Sequence, residues 1–383
     1  MNIAITIDEL GMGGAQHVVY ELVKNINTEK YTITIICTDG RIHSLLEEKI
    51  LDEASKKKFS IVFLKDHFLK KINTPFVLFN KVINRIRQIV IDLTIIPELS
   101  KKLDYINPDL IHVHQHGMLA AYWAVPRHVP LITTIHTNPN AAFFREVERF
   151  IFKLAVYLKR ITVVAISKYN YDRIKSYWHL DDSISRYINN GIAIGNFYTK
   201  PHDIFSFINT SRHDENKNQA LIIRAFARLH FENTAIAMKL YLIGDGDTHE
   251  TLRRLATDLE IADYVEFTGY ITFPGEYLAL SDVYISSSHR EGLSLSVLEA
   301  MASRLPIIAT DAGGVRELAQ ENGILIADND EEGLYSAMKE LRDNIELRRE
   351  KAEKSYAIVQ AFSTTQMTEE YSALYDEILH YHH

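Results

Sequence analysis

The sequence predicts an α/β protein made of two doubly wound domains in tandem. At 383 residues the chain has the length of two or three domains of about 150 residues each. Short apolar runs alternate with helical patterns, which is typical of parallel sheets covered by helices. A second series of the same kind begins after Gly191, so the simplest architecture contains two such domains.

The strands of the first predicted domain are short apolar runs. The helical segment 16–26 follows the first of them and places its apolar residues on one face. The predicted strands are Ile3–Ile7, Thr32–Cys37, Ile61–Leu64, Leu110–Val113, Leu131–Ile135 and Thr162–Ile166.

The second predicted domain repeats this pattern. Its first helix, over residues 218–230, again has one apolar stripe. The predicted strands are Phe205–Ile208, Leu240–Ile243, Val265–Phe267, Val283–Ser286, Ile307–Ala309 and Gly323–Ile326.

The domain boundary is predicted within residues 189–201, where an Asn-Asn-Gly sequence and a proline interrupt the pattern. The first domain is expected over residues 1–192 and the second over 193–365, and a C-terminal helix of about residues 366–383 is expected to pack back on the first. No low-complexity linker separates the domains, so we expect them to face each other across a cleft.

The charge of the chain argues against one class of partner. With 42 Lys and Arg and 50 Asp and Glu, the formal charge is -8, which disfavours a nucleic-acid-binding protein. The charge is uneven, because residues 56–102 hold eleven basic and three acidic side chains. Such a segment can face an anionic membrane surface.

The chain is predicted to be cytoplasmic. Its single cysteine, Cys37, excludes an intrachain disulfide and a thiolate metal cluster, which favours a reducing compartment. The run Ile3–Ile7 is too short for a signal peptide, and no apolar stretch approaches the roughly 18 residues of a membrane span.

Residues 143–160 combine an apolar helical stripe with five basic side chains. The pattern fits an interfacial helix on a membrane, and it equally fits a helix packed on the first sheet with a solvated basic face. Our hypothesis is peripheral binding to the inner face of the membrane.

Three glycines, Gly11, Gly13 and Gly14, lie between the first strand and the first helix. Glycine lets a ligand approach the backbone, and the amides at a helix start favour a phosphate. A tight strand-to-helix turn is the alternative. The third-glycine spacing of the dinucleotide fingerprint is missing, which disfavours a nicotinamide-dependent dehydrogenase.

Two segments of the second domain contain charged residues that are candidates for ligand binding. Arg212 and Lys217 could flank a diphosphate and balance its charge in place of a metal, although a solvated polar loop is the alternative. Glu291 lies in a Ser- and Gly-rich turn that leads into a helix near Ser296. Glu299 either faces a ligand or closes a capping box with Ser296.

Histidines follow two strands of the first domain. His112, His114 and His116 alternate and therefore share one face, a spacing that a metal site could use. No thiolate or obvious carboxylate accompanies them, so a metal-free site is favoured. His136 by itself resembles an ordinary core or loop histidine.

Several short motifs occur in a fixed order along nearly the whole chain. Glu291 and Glu299, separated by seven residues, precede Ala-Met-Ala at 300–302 and Gly-Gly-Val-Arg-Glu at 313–317. The upstream motifs are Gly-Gly-Ala at 13–15, Pro-Asp-Leu-Ile-His-Val-His at 108–114, Ala-Ile-Ser-Lys at 165–168, Asn-Gly-Ile at 190–192 and Gly-Asp-Gly at 244–246. In this order they resemble the retaining nucleotide-sugar glycosyltransferases of family 4.

This resemblance implies the GT-B fold, two Rossmann-like domains with the acceptor bound mainly by the first and the donor mainly by the second. It implies that Arg212 and Lys217 contact the donor diphosphate and that Glu299 binds the ribose hydroxyls. Glu291 and His136 would contact the donor sugar, and these two residues with Arg212 and Lys217 form the candidate catalytic set. The other implied donor-binding positions are Gly13, Gly14, Gly244, Tyr270, Ile271, Gly292, Leu293 and Ser294.

The implied reaction moves a hexose from a nucleoside diphosphate sugar, UDP favoured, to an acceptor hydroxyl with retention. A lipid-linked saccharide in exopolysaccharide, capsule or glycolipid synthesis is the expected acceptor, with no cofactor and no metal. The alternatives are a GT-B nucleotide-sugar epimerase and a non-catalytic partner subunit of another transferase.

Overall fold

The computed structural model describes residues 1–11, 13–38, 43–56, 59–64, 94–114, 122–126, 128–136, 152–158 and 161–382. They form two compact units. The first comprises Met1–Asn189 with Met367–His383, and the second comprises Asn190–Gln366. Each unit contains one parallel sheet with helices between its strands, which confirms the predicted α/β class.

The sheet of the first unit has seven strands: β1 Asn2–Ile7, β2 Thr32–Cys37, β3 Ser60–Phe63, β4 Leu110–His114, β5 Leu131–Ile135, β6 Thr162–Ala165 and β7 Ser185–Tyr187. They pair in parallel in the order β3-β2-β1-β4-β5-β6-β7. The first six fall on predicted runs. Strand β7 was not predicted, because its three residues, Ser-Arg-Tyr, contain no apolar run.

Helices connect these parallel strands. Gly14–Asn25, Leu45–Ser55 and Lys168–Trp178 follow β1, β2 and β6, and residues 94–106, 122–124 and 152–158 are also helical. Two of the helices begin with serine caps, since Ser44 and Ser167 accept hydrogen bonds from amides of the first turn. Among the described residues, no helix has both the length and the apolar character needed to cross a membrane.

The C-terminal helix Thr364–His382 belongs to the first unit from Met367 onward. Tyr31 Oη donates a hydrogen bond to Asp376 Oδ1 at 2.7 Å. The ring of Tyr375 is fully buried and packs edge-on against Tyr31, with ring centroids 5.9 Å apart. The end of the chain is therefore held by both polar and apolar contacts.

The sheet of the second unit has six strands: β8 Phe205–Thr210, β9 Met238–Ile243, β10 Val265–Gly269, β11 Val283–Ser286, β12 Ile307–Thr310 and β13 Gly323–Ile326. They pair in parallel in the order β10-β9-β8-β11-β12-β13. The helices of this unit are Gln219–Glu232, His249–Asp258, Gly275–Ala279, Leu295–Ala302, Gly314–Ala319, Glu331–Asp343 and Ile345–Val359.

The boundary between the units lies at Asn190, slightly before the predicted position after residue 192. The reason is a backbone pairing of Ile192 with the segment around Ser363. The Ile192 amide donates to Phe362 O at 2.9 Å, and the Thr364 amide donates to Ile192 O at 3.0 Å. Ile192 therefore belongs to the second unit.

This pairing makes Gly191 intolerant of a side chain. A Cβ atom there would lie 2.4 Å from Ser363 O, whereas a Cβ at Gly195 would meet nothing within 4 Å. We expect Gly191→Ala to lower the free energy of unfolding by about 1–3 kcal/mol, the usual cost of forcing atoms into packed space. Gly195→Ala is the matched control and should change it by less than about 0.5 kcal/mol. Urea unfolding of both variants measures the difference, and equal stabilities would contradict this account.

Candidate active site

Apart from Glu299, which lies in the helix Leu295–Ala302, the candidate residues of the second unit lie at the ends of β8, β9, β10 and β11 or in the loops that follow them. Adjacent parallel strands end at the same edge of a sheet, and ligands of doubly wound domains bind at this edge. Because β8 pairs with both β9 and β11, its following loop has close neighbours on either side. The topology thus collects charged side chains from separate parts of the sequence.

Lys217 and Glu291 form an ion pair between the loops after β8 and β11. Both side chains are partly buried. Backbone and side-chain hydrogen bonds hold the two loops together: Asn216 Nδ2 donates to Arg290 O at 3.0 Å, and Ser287 Oγ donates to Lys217 O at 2.7 Å. The two charges are therefore fixed relative to each other.

Arg212 lies in the same loop as Lys217 but is open to solvent. Its side chain is 77% exposed, and its Nε donates to Asp214 Oδ2 at 2.7 Å. Asp214 also accepts a hydrogen bond from the Lys217 amide through Oδ1, at 3.1 Å. This aspartate, which the sequence analysis did not single out, connects the two predicted diphosphate contacts.

The turn at 291–294 is fixed against the next loop of the sheet. The Glu291 amide donates to Ala312 O at 3.2 Å, and the Gly314 amide donates to Glu291 O at 3.1 Å. A Cβ at Gly314 would lie 1.3 Å from Gly292 O, so only glycine permits this approach. Gly314 is thus a packing requirement of the candidate sugar-binding turn.

The helix Leu295–Ala302 starts directly after this turn, with Ser294 at its N-cap. Ser294 makes no side-chain capping hydrogen bond, and the first amides of a helix lack intrahelical acceptors. The alternative of a capping box between Ser296 and Glu299 is wrong, because Ser296 lies inside the first turn. Leu293 and Ser294, which lead into the helix, are both buried.

Glu299 is partly buried, and its carboxylate has no hydrogen-bond partner among the residues that the structure describes. Burial raises the pKa of Glu299 to about 7. Tyr270 lies near Glu299. Burial of the Tyr270 phenol raises its pKa, and the negative charge of Glu299 raises it further. Tyr270 itself is 45% exposed, so the two side chains offer an acceptor and an open aromatic ring. Ile271 follows in the same loop.

Gly244 closes the loop after β9. Its φ is +138°, and a Cβ atom at this position would lie 2.0 Å from Ser211 O, so both the backbone conformation and the packing require glycine. Its amide donates to Gly269 O at 2.9 Å. Gly244 therefore lets the loops after β8, β9 and β10 meet closely.

His213, in the same loop as Arg212, forms a pair with His249. His213 and His249 have their Nδ1 atoms 3.0 Å apart and their rings stacked, and burial lowers the pKa of His213 to about 4. The sequence analysis missed this pair. The available signal was one histidine shortly after each of two strands, β8 and β9, which pair in the sheet.

The candidates of the first unit lie at the ends of β1, β4 and β5. Gly13 is the N-cap of Gly14–Asn25 without a side-chain cap, and a Cβ there would meet Gln16 Oε1 at 2.4 Å. His136 is hydrogen-bonded to His114, with Nε2 and Nδ1 2.9 Å apart. His116 lies outside the described residues.

Within the described part of the chain, no group of three or more His, Cys, Asp and Glu side chains is arranged to hold a metal ion.

Comparison with known proteins identifies the class. The fold matches that of the Anabaena protein HepE in complex with UDP, with a TM-score of 0.75 and 18% identity over 98% of this chain and 100% of that one. The two parallel-sheet α/β units are thus those of a GT-B protein.

Two family models then identify the family. Residues 12–195 match "Glycosyltransferase Family 4", and residues 204–344 match "Glycosyl transferases group 1". The chain is a family 4-type glycosyltransferase.

Curated relatives match over part of their length. The lipopolysaccharide core biosynthesis glycosyltransferase LpsE of Rhizobium meliloti is 31% identical over 45% of this chain and 50% of its own. A Campylobacter jejuni N-acetylgalactosaminyltransferase, whose name gives a diphospho-undecaprenol-linked acceptor, is 25% identical over 59% and 64%. The chain spans about half the length of the first relatives that it matches.

The raised pKa of Glu299 predicts a pH-dependent stability. In the folded protein the Glu299 carboxyl stays protonated up to about pH 7. In the unfolded chain a glutamate loses this proton at about pH 4.3. The free energy of unfolding therefore falls as the pH rises between these two values. We expect the stability of Glu299→Gln relative to wild type to increase by about 2–3 kcal/mol between about pH 5 and pH 8.

Thermal or urea unfolding at both pH values measures this change. Glu340→Gln, at an exposed site on the helix Glu331–Asp343, is the control and should show no such trend. A pH-independent difference for Glu299→Gln would show that the folded carboxyl titrates normally.

Proposed function

We propose that the protein transfers a hexose from a nucleoside diphosphate sugar to an acceptor hydroxyl with retention at the anomeric carbon. The observation that carries this proposal is the Lys217–Glu291 ion pair, set beside Arg212 at the carboxyl edge of the second sheet. The pair places a cation that can bind phosphate, Lys217, next to a carboxylate that can bind sugar hydroxyls, Glu291.

The two cations suit the departing diphosphate. Arg212 is exposed and can offer two N–H groups to phosphate oxygens, while Lys217 supplies a point charge from a partly buried position. Positive groups fixed where negative charge develops stabilise the transition state without reorganisation. We propose that they take the role that a metal ion has in other transferases, so that the reaction needs no metal and no cofactor.

Glu299 and Tyr270 suit the nucleoside. The Glu299 carboxylate lacks hydrogen-bond donors among the described residues, and two ribose hydroxyls would supply them. The half-exposed Tyr270 and the adjacent Ile271 offer apolar surface to the base. UDP is the favoured nucleotide, a choice supported by the UDP complex of the HepE structure, whose fold this chain shares.

The proposed chemistry uses no covalent nucleophile. The bond between the anomeric carbon and the diphosphate oxygen breaks while the acceptor oxygen bonds the same face. A donor phosphate oxygen takes the acceptor proton, and Glu291 orients the sugar through its hydroxyls. The protein contributes positioning and electrostatic stabilisation, which together supply most of the barrier reduction in such reactions. Contacts of Gly13, Gly14 and His136 with the donor remain predictions from the family resemblance.

The proposed acceptor is a lipid-linked saccharide used for a cell-surface polysaccharide or glycolipid. Support comes from the names of the two relatives, one in lipopolysaccharide core synthesis and one with a diphospho-undecaprenol-linked acceptor. We propose that the protein meets this acceptor at the cytoplasmic face of a membrane.

Nucleotide binding tests the donor first. Thermal unfolding with UDP, GDP, ADP or NAD, without added metal, should show stabilisation by UDP, worth about 2.7 kcal/mol when the ligand is at about 100 times its dissociation constant. No response to any nucleoside diphosphate would favour the non-catalytic subunit instead.

Charge removal tests the site. Arg212→Ala and Lys217→Met should each lower kcat/KM by about 100-fold, or about 2.7 kcal/mol, because each removes a charge facing the diphosphate. Matched controls are Arg228→Ala and Lys339→Met, which break surface pairs with Glu332 and Glu232 of the same unit. Near-normal turnover in both site variants would refute the assignment, and product formed without acceptor would favour the epimerase.

We also propose peripheral contact with an anionic membrane through the first unit. In the helical residues 152–158, Phe152 and Val156 are buried while Tyr157 and Leu158 are exposed by 86% and 65%. Trp123 is exposed nearby, since its neighbour Tyr122 packs on Phe152 with ring centroids 6.2 Å apart. Most of the basic segment 56–102 lies outside the described residues.

Vesicle binding tests this contact. At low salt the protein should sediment with vesicles rich in phosphatidylglycerol. Replacing Tyr157 and Leu158 together by Ser should weaken binding by about 30-fold, since each buried apolar side chain adds on the order of 1 kcal/mol. Phe231→Ser, at an exposed site in the second unit, is the control. Wild-type protein that ignores such vesicles would rule the contact out.

A further inference from the structure

Three histidine rings contact one another in series toward the ends of β4 and β5. His112 and His114 share one face of β4, with ring centroids 4.1 Å apart, and neither is exposed. His136 stacks on His114 with centroids 5.1 Å apart and an interplanar angle of 29°. Because His114 Nδ1 and His136 Nε2 are only 2.9 Å apart, one ring donates an N–H to the other.

All three rings are held neutral. Burial lowers the pKa of His112 and of His136 to about 3 and the pKa of His114 well below its ordinary value. A neutral imidazole has one N–H, and its other nitrogen is an acceptor. The direction of the His114–His136 hydrogen bond therefore determines which nitrogen is protonated in both rings.

The second nitrogen of His114 decides that direction. His114 Nε2 is buried and has no hydrogen-bond partner among the described residues. If His136 were the donor, the proton of His114 would have to lie on Nε2, as a buried N–H without an acceptor, which folded proteins rarely retain. If His114 is the donor, Nε2 is only an unpaired acceptor and the proton of His136 lies on Nδ1.

We propose that His114 is a positioning residue that holds His136 in the Nδ1–H tautomer, so that His136 presents a neutral N–H donor to a hydroxyl oxygen of a carbohydrate ligand. His136 is only partly buried, and its Nδ1 has no partner within the described residues. A neutral donor binds an oxygen without adding charge to the site. The ligand class, but not the tautomer, rests on the proposed function.

His112 supports His114 from the opposite side. Its Nε2 lies 2.7 Å from Thr134 Oγ1 and its Nδ1 lies 2.7 Å from Tyr375 Oη. Hydrogen bonds at both nitrogens fix the orientation of the His112 ring, which packs against His114 with the two ring planes tilted by 43°. Tyr375 belongs to the helix Thr364–His382, so the end of the chain helps to orient a candidate catalytic histidine.

NMR of the full chain labelled with [15N]histidine measures the tautomer directly. The chain has 17 histidines, so the signals of His136 are assigned by their loss in His136→Gln. We expect Nδ1 to be protonated and Nε2 unprotonated in the wild type. A proton on His136 Nε2 would overturn the proposal.

Two variants test the role of His114. His114→Phe keeps a packed ring but removes the donor, so His136 should shift toward the Nε2–H tautomer and kcat should fall about 10-fold with KM for the nucleotide sugar little changed. His114→Asn, whose amide can donate from near the Nδ1 position, should restore the tautomer and most of the rate. An unchanged tautomer in a folded His114→Phe variant would refute the positioning role.

The NMR measurement also separates this inference from the proposed function. If the wild type transfers sugar but His136 is the Nε2–H tautomer, the positioning role of His114 is refuted and the proposed function stands. If no transfer is found while Nδ1 is protonated, the proposed function fails and the tautomer assignment stands.

Discussion

The parallel pairing of β8 with β11 is the constraint on which the candidate site depends. Phe207 pairs with Val283 and Ile208 with Tyr284, so the two strands run side by side and end at the same edge. The loops that follow them are far apart in sequence but must then meet. Lys217 and Glu291, 74 residues apart, form their ion pair as a result of this strand order.

The two carboxylates of the site illustrate opposite electrostatic environments. Glu291 is partly buried with a cation beside it, so neither charge is left uncompensated. Glu299 is partly buried with no cation beside it among the described residues, and burial raises its pKa to about 7. A ligand that brings negative phosphate to Lys217 and hydroxyl donors to both carboxylates would satisfy each group, which is why the arrangement favours a nucleotide sugar.

Most of the fold could be predicted because its signals are local. A buried parallel strand is a short apolar run wherever it occurs, so the runs at β1 and β8 were recognisable without knowledge of their partners. The edge strand β7 carried no such run and was missed. The alternative interpretation of Ser296 and Glu299 as a capping box was wrong, because a Ser-x-x-Glu pattern does not specify where a helix begins. Here the N-cap is Ser294.

The amino-acid sequence alone was enough to establish the α/β class, the order of the elements and the identity of the charged residues in the loops. Which of these residues meet depends on the tertiary structure, which joins Lys217 to Glu291, His114 to His136, and Tyr375 to His112. Apolar periodicity and turn residues act within a few positions along the chain, whereas these contacts depend on strand order and on where the last helix packs. Strand order follows from the packing of the whole sheet, and no short stretch of sequence contains that information.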